Sequence, residues 1–102
     1  MPAITDYLTN NEVLQLLGCR LRERRLNRDM SVEQLSERAG VNRKTILGLE
    51  TGVDARVSSL IKIMRGLDIL ADLDAAVPDA LPSGEGISTR GQPRKKASSS
   101  RL

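Results

Sequence analysis

Met30-Ser31-Val32-Glu33-Gln34-Leu35-Ser36-Glu37-Arg38-Ala39-Gly40-Val41-Asn42-Arg43-Lys44-Thr45-Ile46-Leu47-Gly48-Leu49-Glu50-Thr51-Gly52 is the stretch that decides the fold. Ser31 and Gln34 have the spacing of a capping box, in which each side chain satisfies a backbone N–H near the other residue. The box predicts a short helix over 32–39 with Leu35 and Ala39 inward. Gly40 supplies the left-handed residue that ends a helix. Val41 is the apolar turn residue, and Asn42 can cap a further helix over 43–50. That helix buries Ile46 and Leu49 and stops at Thr51-Gly52.

Working outward, Leu14, Leu17 and Leu21 recur at helical spacing, with arginines mostly on the other faces. They predict a helix over 11–28, opened by Asn10 or Asn11. Downstream, Ser58 or Ser59 caps a helix over 59–66 with Leu60, Ile63 and Met64 inward and Gly66 closing it. A last helix over 70–77 carries Leu70, Leu73 and Val77. The pattern shows no convincing strand and no repeat. The expected organisation is an arm over 1–9, an all-α domain over 10–77 and a disordered basic tail over 78–102. The tail holds Pro78, Pro82, Ser83-Gly84-Glu85-Gly86, Gly91, Pro93 and Ser98-Ser99-Ser100, too little apolar surface to offset the entropy of ordering it.

Composition narrows the function. The 102 residues include 16 Lys+Arg and 13 Asp+Glu, a net +3, with no His, Trp or Phe and a single Cys. Without His, and with Cys19 alone, a Cys/His zinc site is impossible and a catalytic triad implausible. Cys19 reads as an inert, buried or half-buried thiol. Asp72 and Asp74, two apart, point to different faces of a helix and make no metal or acid–base pair. No enzyme, metal or cofactor is expected. Nor is a membrane association, since no apolar run nears the roughly 20 residues of a membrane span and the N-terminus lacks a signal-peptide pattern. A lone Cys suits a reducing cytoplasm. The charge is segregated: residues 68–86 hold five acids and no base, residues 87–102 five bases and no acid.

Short helix, Gly, apolar turn residue, cap, short helix is the order of a helix-turn-helix, whose second helix has an outward face free to enter the major groove. The stretch from Met30 to Gly52, with Gly40 and the Leu49-Glu50-Thr51-Gly52 ending, resembles the Cro/repressor (XRE) helix-turn-helix family across residues 14–70. The resemblance implies a five-helix, lambda-repressor-like DNA-binding domain whose recognition helix is 43–50. Groove-facing positions would be Asn42, Arg43, Lys44, Leu47 and Gly48, with Thr45 as a backbone or phosphate contact. Arg43 and Lys44 could read guanine edges; the plainer reading is a solvated helix start, although cations there oppose the helix dipole and suggest an anion nearby. Asn42 is a cap and a candidate phosphate ligand. Arg28 and Arg56 are candidate phosphate contacts, whereas Lys62 and Arg65 read as plain surface. The family alignment pairs Arg25 with Glu50 as a structural ion pair. Two departures stand out: Val32 replaces a frequent Gln and offers no phosphate donor, and Gly48 replaces a longer polar side chain.

One such domain reads too few bases, and the family dimerises on palindromic operators. Leu67, Ile69, Leu70, Leu73 and Val77, with Leu81, are the candidate homodimer interface; alternatively they cap the monomer core. The expected function is a sequence-specific regulator of double-stranded DNA, a repressor or autoregulator in the cytoplasm at the nucleoid. The run Gly66–Asp74 and the tail's Arg90-Gly91-Gln92 also look similar to HipB-like antitoxins, which implies a cognate toxin protein as a further partner. A helical interaction module without DNA binding is the third alternative, and Arg43-Lys44 argue against it.

Overall fold

The computed structural model describes residues 2–81. They form five helices and no strand: α1 Asn10–Asn27, α2 Val32–Ala39, α3 Arg43–Glu50, α4 Val57–Gly66 and α5 Leu70–Ala76. Helix α1 packs on α3, α2 on both α3 and α4, and α4 on α5. The core is aliphatic, built from Leu21, Leu35, Val41, Ile46, Leu49, Ile63, Met64 and Leu67. Residues 78–81 of the predicted tail are irregular and exposed. The rest of the tail, with Arg90-Gly91-Gln92, lies outside the described residues.

The helix boundaries follow from local chemistry, with three corrections. Helix α1 is capped by Thr9, one residue before the expected Asn10 or Asn11. The Glu12 N–H donates to Thr9 Oγ1 at 3.1 Å and the Thr9 N–H to Glu12 Oε1 at 2.8 Å. This is the same reciprocal box as at α2, where Gln34 N–H meets Ser31 Oγ at 3.0 Å. Helix α4 begins at Val57, before Ser58 and Ser59, and its N-cap Arg56 gives no side-chain bond. Gly66 does not close α4. It is the last helical residue, buried where an added Cβ would meet Leu35 Cδ1 at 3.0 Å and Ala39 Cβ at 3.2 Å. The left-handed turn is made instead by Asp68 at φ 59, with the Ile69 N–H returning to the Met64 carbonyl at 2.9 Å.

Burial corrects two further expectations. Cys19 is exposed. Leu67 is 0% exposed within the single chain, so it belongs to the core and cannot face a second copy. The arm is tethered: the Pro2 carbonyl accepts from Arg20 Nη2 at 2.7 Å.

A contact with no precedent in the apolar pattern holds α1 to α3. Gly18 is buried against the C-terminal end of α3, where a Cβ would fall 2.1 Å from the Leu49 carbonyl oxygen. Only a residue without a side chain lets the backbones approach this closely.

Candidate nucleic-acid interface

The turn between α2 and α3 aims the second helix. Gly40 sits at φ 69, ψ 36, and its N–H reaches the Ser36 carbonyl at 2.9 Å. The Ser36 hydroxyl donates to the Val41 carbonyl at 2.6 Å, closing the corner from the other side. Asn42 Oδ1 accepts from the Lys44 N–H at 2.7 Å and starts α3. Ile46 and Leu49 are pulled into the core, and the rest of α3 is left outward.

The outward face carries Asn42, Arg43, Lys44 and Leu47 exposed, and Thr45 and Gly48 half-buried. No acid lies in the first turn of α3. Lys44, Thr45 and Gly48 line one open depression with Arg56 and Ser59, the floor being the 53–55 loop. The sequence therefore named four residues that the fold brings together from α3 and the start of α4. It missed Val53 and Ser59. Their signal is tertiary: the Val53 N–H bonds the Gly48 carbonyl at 2.8 Å, folding the loop back under α3. Among the described residues, the Lys44 and Arg56 side chains have no hydrogen-bond or ion-pair partner.

Arg43 and Arg28 do have partners. Arg43 Nε donates to Glu33 Oε2 at 2.6 Å, with the two side chains 57% and 63% exposed. A hydrogen bond from its own backbone N–H, then the Arg43 guanidinium, hold the Glu33 carboxyl below its ordinary range. Arg28 Nη2 pairs with Asp68 Oδ2 at 2.9 Å, a carboxylate shared with Arg38 at 3.2 Å. Arg28 is not part of the depression.

Arg25 and Glu50 lie behind the site. Arg25 Nε and Nη2 meet Glu50 Oε2 and Oε1 at 2.7 and 2.9 Å, both residues being 7% exposed. Arg25 Nη1 adds the Met30 carbonyl at 2.8 Å, so α1, the start of α2 and the end of α3 are tied at one point. The hydrogen bond to Glu50 raises the Arg25 pKa above its ordinary value.

The helix-turn-helix family model matches residues 21–72, about half of the chain and all of this corner. The chain belongs to the Cro/repressor (XRE) type of helix-turn-helix family. With the family comes its coarse function, that of a DNA-binding transcriptional regulator. Among solved structures, this family member is similar to the restriction-modification controller protein C.AhdI from Aeromonas hydrophila. The two share 32% identity at a TM-score of 0.55, over 57% of this chain and 89% of that one. No curated protein matches the chain. Among the described residues, no group of His, Cys, Asp and Glu could hold a metal ion, and no helix is long and apolar enough to cross a membrane.

Proposed function

We propose that the chain is a homodimeric, sequence-specific repressor or autoregulator of the controller type, acting in the cytoplasm on a pseudo-palindromic operator. The observation that carries this reading is the outer face of α3. A helix whose first turn holds Arg43 and Lys44 and no acid stands clear of its own core, beside Arg56. Asn42, Lys44, Thr45 and Arg56 take phosphates, while Arg43 and Leu47 meet base edges and Gly48 lets the helix sit deep in the groove. The likeness to a restriction-modification controller favours the same class of regulation.

The second copy docks on α5. Leu70 and Leu73 are half-buried, Val77 is 75% exposed, and Ile61 joins them around a shallow apolar hollow. A two-fold arrangement through this face places two α3 helices on half-sites about one duplex turn, roughly 34 Å, apart.

Selection of bound sequences from random duplex DNA by the full chain tests the reading. The expected product is an inverted repeat with half-site centres about 10 base pairs apart. Recovery of no common sequence would remove the repressor assignment.

A further inference from the structure

We propose that Glu33, outside the recognition helix, is a positioning residue that holds Arg43 with its terminal nitrogens free to bind a single guanine. The inference rests on the reading of α3 as the groove-facing helix.

Two arginines of this chain meet a glutamate, and they do so differently. Arg25 uses Nε and Nη2 on Glu50 and Nη1 on the Met30 carbonyl, so all three nitrogens are occupied and the group is buried. Arg43 uses only Nε, on Glu33 Oε2. Its Nη1 and Nη2 make no other bond among the described residues. Those two nitrogens form the end-on edge of the guanidinium, the fork that matches O6 and N7 of guanine. A contact at Nε fixes the stem of the side chain and leaves that edge outward.

The anchor does not depend on the arginine. Glu33 is the second residue of α2, where a carboxylate is favoured by the helix dipole and accepts its own backbone N–H. It stays in place and charged whether or not Arg43 is there. The pair is also too exposed for stability to be its main effect. Ordering a long side chain before binding lowers the entropy lost on binding. The carboxylate adds a second effect: once Arg43 is removed or misdirected, an uncompensated negative charge is left beside the DNA backbone. Discrimination at that base therefore belongs to the pair, not to Arg43 alone.

The test uses the full chain, the duplex recovered by selection and the same duplex with each base pair changed in turn. Wild type, Glu33→Gln, Arg43→Ala and the double variant are titrated, with melting curves for each. Glu33→Gln should melt like wild type and lose about tenfold in preference for guanine at one position, keeping preference at the others. Arg43→Ala should lose preference at that same position, and adding Glu33→Gln to it should cost no further preference there. An even loss at all positions, or a lowered melting temperature that accounts for the loss, would overturn the positioning role. So would unchanged preference in Glu33→Gln, or a gain in preference showing that Glu33 only competes with DNA for Arg43. In those cases wild-type selectivity persists and the regulator reading stands. If wild type shows no selectivity at all, both fall together.

Discussion

Arg25 and Glu50 face each other side-on beneath the recognition helix, Nε to Oε2 at 2.7 Å and Nη2 to Oε1 at 2.9 Å, with almost no solvent access. The pair joins α1 to the last residue of α3, and the Met30 carbonyl takes the remaining arginine nitrogen. Such a pair fixes one arrangement of the helices, because any other leaves a charge buried without a partner.

Glu50→Ala should therefore lower unfolding free energy by about 3–5 kcal/mol, since it strands the Arg25 charge. Replacing both at once, Arg25→Met with Glu50→Leu, should restore most of that loss. Urea denaturation of the single and double variants checks it. A double variant no more stable than Glu50→Ala would show that the charges do more than satisfy each other.

Gly18 and Gly48 should respond oppositely to alanine. At Gly18 the new Cβ meets the Leu49 carbonyl at 2.1 Å. The helices must part, and a loss of about 2–3 kcal/mol should outweigh the gain in helix propensity of about 1 kcal/mol. At Gly48 the nearest neighbour is the Val53 Cβ at 3.5 Å, ordinary contact. Gly48→Ala should stabilise the fold by up to about 1 kcal/mol and weaken DNA binding if α3 lies deep in the groove. Thermal melts set beside binding titrations separate the two effects.

Lys44→Ala and Arg56→Ala should each weaken binding about equally on every duplex sequence. Each should also reduce the slope of log affinity against log salt by about 1, the mark of a lost phosphate contact. The measurement is a titration at four or five salt concentrations. A slope equal to wild type would take that residue off the DNA backbone.

Val77→Asp should shift the chain towards monomer in sedimentation equilibrium and leave the monomer's fold intact, because Val77 is exposed. Leu67→Ala should do the reverse. It should cost about 2–5 kcal/mol of stability, since Leu67 is completely enclosed by its own subunit. A Val77→Asp chain still dimeric at micromolar concentration would move the two-fold axis elsewhere.

The order and type of the helices were legible in the chain because their signals are local. The Ser31–Gln34 box, Gly40 and Asn42 act on neighbours within a turn, and α2 and α3 came out with the expected bounds. The same grammar was present at Thr9–Glu12 and was passed over for the nearby asparagines. At α4 it misled: Ser58 and Ser59 look like caps, yet the helix starts before them. There the 53–56 loop, drawn under α3 by the Val53 to Gly48 bond, sets where the chain can begin to turn.

What the sequence determined by itself was the aliphatic core, the bihelical corner and the residue types on its outer face. Those follow from spacing and from interactions a few residues long. Only the tertiary structure decided how those residues are used. It buried Leu67, seated Gly18 on the Leu49 carbonyl, gathered Lys44 and Arg56 at one depression and engaged Arg43 by a single nitrogen. Each of these depends on the distance between segments far apart in the chain, and that distance is set by how whole helices pack, a quantity no local pattern encodes.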